Sequence, residues 1–287
     1  MEGSAMSSSV LFDSPGPATR ARHRTYNLVA IAALLLLAAG LIWRLWAAGQ
    51  FEYDLWEPFV TPDFIQALLV GMLKTLQLAF TSVILAVVFG LVFGVGKLSV
   101  HAWVRWPAAV VVEFFRAVPV LLLMIFVFLA YGAGGGFGSY WSVVIALTLY
   151  NGSVLAEVFR AGILAVPHGQ SDAAYALGMR KSQVMNSVLL PQGVKMMLPA
   201  IISQCVVALK DTTLGYAILA PGLATVGKQI YTEFHNQIPT TLLVAAMFIA
   251  VNLALTELAT WLQRRLVGEK KQLEVNVVGG PASGAAT

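Results

Sequence analysis

Six long apolar segments limit what this chain can fold into. They run over about 27–48, 65–96, 107–131, 141–164, 196–219 and 240–262. Each reaches the roughly 20 residues that a helix needs to cross a bilayer, and none alternates with the two-residue period of a membrane β-strand. Charged residues are 11% of the chain, against about 25% in soluble domains. The sequence therefore predicts an all-α polytopic membrane protein with about six transmembrane helices.

The connections between these segments predict how the chain is divided. We expect a basic cytoplasmic tail 1–25, a first transmembrane helix 26–48, an extracytoplasmic acidic link 49–64, a transmembrane domain 65–265 and a disordered cytoplasmic tail 266–287. The basic start and apolar core of the first span would also suit a cleaved signal peptide. Arg44, between Trp43 and Trp46, favours a retained anchor because aromatic residues gather at membrane interfaces.

Charges outside the spans predict the orientation of the chain. The 49–64 link is acidic and has no Lys or Arg, and the link 132–140 has no charge. Basic residues lie in the other connections and in both tails, among them Arg22, Lys97, Arg180, Lys195 and Arg264. Because Lys and Arg accumulate on the cytoplasmic side, we expect a multi-pass protein of the cell membrane with both termini and the 165–191 loop in the cytoplasm.

This 165–191 loop contains two short helix-forming stretches. Ser171 or Asp172 suits the cap of the first helix, and Gly178 suits its end. The apolar residues of that helix recur at helical spacing, at Ala173, Ala174 and Leu177. A second helix is predicted over about 182–190, with Pro191 as its stop. Helices this short need a partner surface, and the pattern alone is compatible with packing against the protein's own spans or with the lipid interface.

The same loop resembles the EAA loop of ABC-importer permeases. That motif has an acidic residue, two alanines, a glycine after three further residues, and a downstream proline. The matching positions are Asp172, Ala173, Ala174, Gly178 and Pro191. Asp172 departs from the glutamate that is usual in the family, so contacts that need a longer carboxylate are in doubt. The resemblance implies that these residues, with Gly169 and Leu177, dock into a groove on a cytoplasmic ATPase.

Four further stretches resemble one branch of that family, the polar amino acid permeases. They are GMLKTLQLAFTS at 71–82, EFFRAVPVLLLM at 113–124, YNGSVLAEVFRAGI at 150–163 and ALKDTTLGYAI at 208–218. The resemblance covers about 65–265 and implies the type I importer fold. The N-terminal stretch LFDSPGPATRARHR and the extra first span are similar to glutamate-type permeases of actinobacteria.

The resemblance also implies what the protein does and with what it assembles. It implies a non-catalytic permease subunit that imports a polar amino acid, glutamate or a related acidic one, by alternating access. ATP and Mg would be bound by a separate cytoplasmic ABC ATPase dimer, so no cofactor is expected on this chain. A second permease subunit, homologous but not identical, and an extracytoplasmic amino-acid-binding protein would complete the transporter. No nucleic acid partner is expected.

Two Glu-x-x-Arg pairs carry charge into the spans. Glu113 and Arg116, like Glu157 and Arg160, are three residues apart on one helix face and can pair. Pairing lowers the cost of a charge in apolar surroundings, which is about 2.5–3.5 kcal/mol on insertion scales. The pairs are either interfacial anchors or, together with Pro119, candidates for an inner gate. Pro119 also predicts a bend, because it leaves a carbonyl one turn earlier unbonded.

Polar residues inside the fourth and fifth spans are candidates for a substrate path. They are Asn151, Ser153, Glu157, Lys210, Asp211 and Thr212. Asn151 and Ser153 either let helices approach closely or offer hydrogen bonds to a solute. Lys210, Asp211 and Thr212 either line a polar cavity or pair with another helix. Lys210 and Asp211 are adjacent and must point in different directions. For an amino acid, Lys210 suits the α-carboxylate and Glu157 the ammonium group, unless Glu157 is taken up by Arg160.

No energy source is recognisable in the chain itself. The stretch 90–98 comes nearest to a Walker A loop, but it has one residue too many before its second Gly, no Ser or Thr after Lys97, and lies in a span. The four His are scattered and the single cysteine, Cys205, lies in an apolar run, so no metal site is expected. A secondary transporter driven by an ion gradient is the alternative, although no inverted repeat supports it. An intramembrane hydrolase is disfavoured as well, because it would need a Ser–His pair or paired Asp residues within the spans, and no His lies there.

Overall fold

The computed structural model describes residues 17–267, and all regular structure in that range is helical. The α-helices are α1 Pro17–Ala47, α2 Tyr53–Trp56, α3 Pro62–Lys97, α4 Ala102–Ala117, α5 Val120–Val127, α6 Gly138–Leu164, α7 His168–Ala176, α8 Lys181–Val184, α9 Leu190–Asp211, α10 Leu223–Phe234 and α11 Gln237–Val267. The chain forms two compact units, Met1–Glu57 and Pro58–Thr287. The C-terminal tail predicted to be disordered is 266–287; α11 extends two residues into it, and residues 268–287 lie outside the described range.

The first unit contains the first predicted span. Its α1 starts at Pro17, nine residues before the predicted start at 26. Proline is tolerated in the first turn of a helix, where its missing N–H has no intrahelical partner to lose. Thr25–Ala47 is long and apolar enough to cross a membrane, with a mean hydropathy of 2.4. The short link after it is folded, since the Trp56 indole N–H donates to the Gln50 carbonyl at 2.9 Å.

Five helices of the described range meet the length and hydropathy of a membrane span, and a bent pair makes a sixth. The five are Thr25–Ala47, Pro62–Lys97, Gly138–Leu164, Lys181–Ile218 and Gln237–Arg265. The six predicted spans are therefore confirmed as elements, within a few residues for most of their ends. α3 has 36 residues and a length of about 54 Å, which is longer than a bilayer of about 30 Å requires. A tilted helix, or one whose first part lies at the interface, accommodates this length.

The third span, predicted over 107–131 with a bend at Pro119, consists of two helices. It is broken between α4 and α5, and the two parts meet at a bend of 100°. Pro119 lies at the break and precedes α5 as its N-cap, while Val118 has an extended backbone with φ −81° and ψ 126°. Proline removes a helical N–H and disfavours the helical conformation of the residue before it. The bend that Pro119 predicts is thus present.

The second unit is organised around the packing of α3 on α6. Glycines at helical spacing on α3 allow the two backbones to approach, as small residues do in membrane helix pairs. A Cβ added to Gly90 would lie 2.7 Å from Leu155 Cβ, and one added to Gly94 would lie 2.7 Å from the Ala156 carbonyl oxygen. α5 packs on the first half of α6, where its apolar residues share a buried cluster with Val143, Val144 and Leu147.

Helix α10 also packs on α3, and a hydrogen bond joins the first residue of α10 to α3. The Leu223 N–H donates to Thr75 Oγ at 2.9 Å, and Thr75 in turn donates to the Gly71 carbonyl at 3.1 Å. Leu223 and Ile230 are buried with Leu68 of α3 in a cluster. The 3₁₀ turn Thr212–Ile218 leads from α9 to this point, so the end of α9 is positioned by α3 as well.

Candidate functional site

An ionic cluster joins the ends of α3, α4 and α6. Lys97 Nζ lies 3.0 Å from Glu113 Oε1 and is also paired with Glu157 Oε1. Arg116 Nη1 lies 3.4 Å from Glu113 Oε2, and Arg160 Nε donates to Glu157 Oε2 at 3.0 Å. Both Glu-x-x-Arg pairs therefore form within their helices, and Lys97 links one pair to the other. We call these five residues the ionic cluster.

Lys97 is the member of the ionic cluster that the sequence did not indicate. From the sequence, its charge indicates only the orientation of the chain, yet its side chain is 10% exposed and contacts two carboxylates. A cation taken out of water to this degree must be paired, because an unpaired buried charge is strongly destabilising. Lys97 is the last residue of α3. A position at the end of a span does not identify the carboxylates that a lysine will contact.

A second group of polar residues, the polar bridge, connects α6 with α9. Asn151 is 1% exposed and donates through Nδ2 to Asp211 Oδ2 at 3.3 Å. Gln204 Nε2 donates to Asn151 Oδ1 at 2.6 Å. Asn151 thus uses both ends of its amide between two side chains of α9. Gln204 was not predicted, although a glutamine inside a hydrophobic span is itself a sign of an interhelical hydrogen bond.

The neighbouring predicted residues fall into two environments. Lys210 is exposed and has no ion pair or hydrogen bond within the described part of the chain, while Asp211 next to it turns toward Asn151. Glu157 belongs to the ionic cluster and lies about 9 Å further along α6 than Asn151. The structure therefore does not bring Lys210 and Glu157 into one cluster.

Ser153 and Thr212 are enclosed by this chain. Ser153 is fully buried, and its Oγ has no hydrogen-bond partner among the described residues. Thr212 is buried and donates to the Leu209 carbonyl at 2.6 Å. Between Asn151 and Ser153, a Cβ on Gly152 would lie 2.8 Å from the Phe89 ring. Within this chain, α6 is therefore closely packed around Ser153.

The first helix of the loop differs in its start from the prediction. α7 begins at His168 with Pro167 as N-cap, and Ser171 Oγ donates back to the His168 carbonyl at 2.7 Å. The cap predicted at Ser171 or Asp172 is thus wrong, because Pro167, which has no N–H and a fixed φ, already starts the helix. The predicted end at Gly178 is confirmed. Its φ is +77°, and the Met179 N–H reaches the Ala174 carbonyl at 3.2 Å, as in a glycine-terminated helix.

The predicted apolar strip of α7 is divided between two directions. Ala174 is 4% exposed and faces the protein, whereas Leu177 is 83% exposed. Ala173, Gly169 and Asp172 are exposed as well. A Cβ added to Gly169 or Gly178 would meet no other atom within 4 Å. One side of the loop is therefore attached to the spans, and the other side presents an apolar and small-residue surface.

The second loop helix does not end at Pro191, as was predicted. α8 continues through a π-helical turn, Met185–Leu189, directly into α9. In this turn the Leu190 N–H donates to the Met185 carbonyl five residues earlier. Pro191 therefore falls in the first turn of α9, where a missing N–H is tolerated. Gln192 Nε2 donates to Gln170 Oε1 at 3.3 Å and ties this junction to α7.

Known proteins similar to this chain identify its family. Residues 86–268 match the family described as binding-protein-dependent transport system inner membrane component. The chain belongs to this family. It is 41% identical over 246 residues to the glutamate transport system permease protein GluD of Corynebacterium glutamicum, and this match covers 83% of the chain and 90% of that protein.

Two further similar proteins support the same family assignment. The glutamate/aspartate import permease protein GltK of Escherichia coli is 28% identical over 228 residues, with 75% of this chain and 99% of that protein covered. The crystal structure of an amino acid ABC transporter contains a similar chain, with a TM-score of 0.66, 28% identity, and coverage of 71% of this chain and 96% of that one. The resemblance to ABC-importer permeases and the type I fold are thereby confirmed.

The region that defines the family contains the candidate site of this permease. The match starts at residue 86, so it includes the ionic cluster, the polar bridge and the loop, but neither α1 nor the first half of α3. The permease is a multi-pass membrane protein, and within residues 17–267 it has no group of three or more His, Cys, Asp or Glu that could hold a metal ion.

Proposed function

We propose that this chain is the membrane-spanning permease subunit of an ATP-driven importer of polar amino acids, with glutamate or a related acidic amino acid as substrate. The observation that carries this proposal is the 41% identity to a glutamate transport permease over 83% of the chain. A glutamate/aspartate import permease among the other relatives supports an acidic substrate. The chain itself performs no catalysis in this proposal, and a separate cytoplasmic ABC ATPase dimer binds ATP and Mg and hydrolyses ATP.

The proposed transporter contains further subunits. An extracytoplasmic binding protein delivers the amino acid, in keeping with the family description. A second, homologous permease completes the path through the membrane, because Lys210 is exposed at the level of the polar bridge and lacks a partner in the described part of this chain. A charge inside a span is tolerated where it faces a polar cavity or another helix.

The 165–191 loop is proposed to dock on the ATPase, which requires it to lie in the cytoplasm with both termini. Leu177 is 83% exposed and lies beside the exposed small residues Ala173 and Gly178, and this apolar surface supports the docking role. Gly169 and Gly178 have free space around them and permit close approach of another surface. Asp172, Ala173 and Pro191 complete the docking segment, while Ala174 attaches it to the spans.

Transport is proposed to follow alternating access. Closure of the ATPase dimer moves the loop, and the spans change between outward- and inward-facing arrangements. Lys210 would hold the α-carboxylate of the substrate, with Asn151, Asp211 and Thr212 near the path. Glu113, Arg116, Pro119 and Arg160 remain candidates for the inner gate, and Glu157 is engaged in the same ionic cluster. The bend at Pro119 lies next to Arg116, three residues before it, and so places the break in the span beside this part of the ionic cluster.

Reconstitution tests this proposal. The tagged chain is purified in mild detergent, its co-purifying proteins are identified, and the complex is placed in liposomes with the binding protein. We expect an ABC ATPase and a second permease to co-purify, and ATP-dependent uptake of labelled glutamate that unlabelled aspartate reduces and lysine does not. Uptake by the chain alone, driven by an ion gradient, would instead establish a secondary transporter. ATP-dependent uptake that only basic amino acids reduce would refute the acidic substrate.

A further inference from the structure

α4, the first helix of the bent span, exposes large apolar side chains along one face. Four large apolar residues at helical spacing form a stripe of exposed surface, and they are Trp103, Trp106, Val110 and Phe114. Trp103 is 92% exposed and the other three are between 59% and 66% exposed. We call these four residues the α4 stripe. No residue of 58–267 covers it.

Two contacts hold the rest of α4 against the protein. Ala108 and Val112 are buried on the side opposite the stripe, and a Cβ on Gly96 of α3 would lie 3.1 Å from Ala108 Cβ. On one flank, between the stripe and the buried side, Glu113 is bonded to Lys97 in the ionic cluster. Because the opposite side and one flank of the helix are held in this way, the direction in which the α4 stripe points is fixed relative to α3 and α6.

The bend sets how α4 lies when α5 crosses the membrane. Trp103 and Phe114 are separated by about 16 Å along the axis of α4. At a bend of 100° this distance changes their level along the axis of α5 by only about 3 Å. α5 shares its buried cluster with the spanning helix α6, and α5 is apolar throughout. If α5 runs across the membrane, α4 runs along it.

The length of the helix that follows the bend determines how deep α4 lies in the membrane. Val120–Gly132, which is α5 with the π-helical turn that follows, is about 20 Å long and about 10 Å short of the hydrocarbon thickness. An amphipathic helix in a membrane interface lies about 5–10 Å deep, at the boundary of headgroups and acyl chains. With α4 at that depth, α5 starts about 5–10 Å inside the membrane, and Val120–Gly132 is long enough to cross the remaining hydrocarbon. Tryptophan is enriched at this boundary, and the stripe contains two.

We propose that α4 is an interfacial helix whose stripe lies in the lipid of one leaflet, on the side of the membrane where the 165–191 loop emerges. The side follows from the contact of Lys97, the last residue of α3, with Glu157 near the end of α6. The occupant of the stripe is lipid at the headgroup–acyl boundary. This inference rests on the fold and is independent of the substrate that the permease carries.

Depth measurement by spin labelling tests the proposal. The single native cysteine is removed by Cys205→Ser, and each residue of the α4 stripe is replaced in turn by cysteine and labelled with a nitroxide. The full-length chain, with the subunits that co-purify with it, is placed in nanodiscs of equal parts phosphatidylcholine and phosphatidylglycerol. The ratio of collision rates with oxygen and with a water-soluble nickel chelate then gives the depth of each label.

Helix α1 provides a matched control. Leu35, Ile42 and Trp46 are exposed and repeat the spacing of Trp103, Val110 and Phe114. We expect the α4 labels to lie within about 5 Å of one another in depth, close to the phosphates, whereas Leu35 and Trp46 should differ by about 16 Å as in a spanning helix. A depth gradient on α4 as steep as that on α1 would overturn the proposal.

Two other outcomes would also overturn it. Labels that are shielded from both oxygen and nickel would show that a protein chain covers the α4 stripe. Labels that nickel reaches as freely as in solution would show that the stripe faces water. Should either tryptophan variant fail to accumulate, Val104, which is 49% exposed, replaces it, and Val110 and Phe114 still measure the depth of the rest of the helix.

Discussion

Lys97 and Glu157 are 60 positions apart in the chain and form an ion pair where α3 ends beside the last turns of α6. The pair is one part of the ionic cluster, in which Lys97 also binds Glu113 of α4. Three helices that meet at one end of the second unit are therefore held by one ammonium group. Removal of that group affects all three helices at once, which makes it the most informative position to change.

Lys97→Met is expected to lower the free energy of unfolding by about 2 kcal/mol, the usual value for hydrogen bonds to charged groups. The two carboxylates would then keep only Arg116 and Arg160. Lys97→Arg restores a cation and should keep most of the stability. The midpoint of thermal unfolding in detergent measures the change. Lys74→Met is the matched control, because Lys74 is an exposed lysine of the same helix, and among residues 17–267 its hydrogen-bond partner is Gln77 alone. Equal midpoints for Lys97→Met and Lys74→Met would contradict the role of the cluster.

Gly94→Ala is expected to destabilise the permease by about 1–3 kcal/mol, as overpacking does in close-packed interiors. The added methyl group would meet the Ala156 carbonyl oxygen at 2.7 Å, and that oxygen belongs to helix backbone and cannot move aside. Gly40→Ala in α1, which meets no atom within 4 Å, should leave stability unchanged or raise it slightly, since alanine favours helix. Thermal unfolding of both variants decides the matter, and a Gly94→Ala protein as stable as Gly40→Ala would rule out the tight contact.

Leu177→Asp is expected to reduce ATP-dependent uptake at least tenfold without changing the midpoint of thermal unfolding. The side chain is 83% exposed, so a charge there disturbs a docked partner and not the fold of this chain. A loss of about 1.4 kcal/mol in docking is already tenfold. Leu177→Met keeps an apolar side chain of similar size and should transport normally. Full uptake by the Leu177→Asp variant would exclude the loop surface from coupling.

Lys210→Met is expected to raise the KM for glutamate about tenfold if the lysine holds the α-carboxylate, as one charge-assisted hydrogen bond of about 1.5–3 kcal/mol would be lost. Lys210→Arg should keep most of the affinity. Lys195→Met serves as control, because Lys195 is also exposed and lies near the opposite end of α9. Initial uptake rates over a range of glutamate concentrations give KM for each variant. An unchanged KM for Lys210→Met would assign that lysine a structural role.

The sequence was sufficient for features that depend on local pattern or on composition. Hydropathy located all six spans, Gly178 marked the end of α7, and Pro119 marked the bend. Each of these follows from a property that a residue carries wherever it is placed: its transfer energy, its access to positive φ, or its missing N–H.

Features that depend on the rotation and depth of neighbouring helices were not predictable. The sequence showed that Glu113 and Glu157 face the same side as their arginines, but not that Lys97 lies between them. Gln204 was missed for the same reason, because its partner Asn151 lies on another helix. The π-helical turn Met185–Leu189 absorbs Pro191 into a continuing helix, and a local pattern that equates proline with a stop cannot anticipate it.

The continuity of α8 and α9 gives the loop a mechanical property. From Lys181 to Ile218 the chain forms one helical span of 38 residues, and Asn151 is bonded to Gln204 and Asp211 along it. In the proposed mechanism, a displacement of the loop would pass along this helix toward Lys210. The π-helical turn Met185–Leu189 and Pro199, which lies inside α9, are the places where the helix can bend and so determine how much of that displacement arrives.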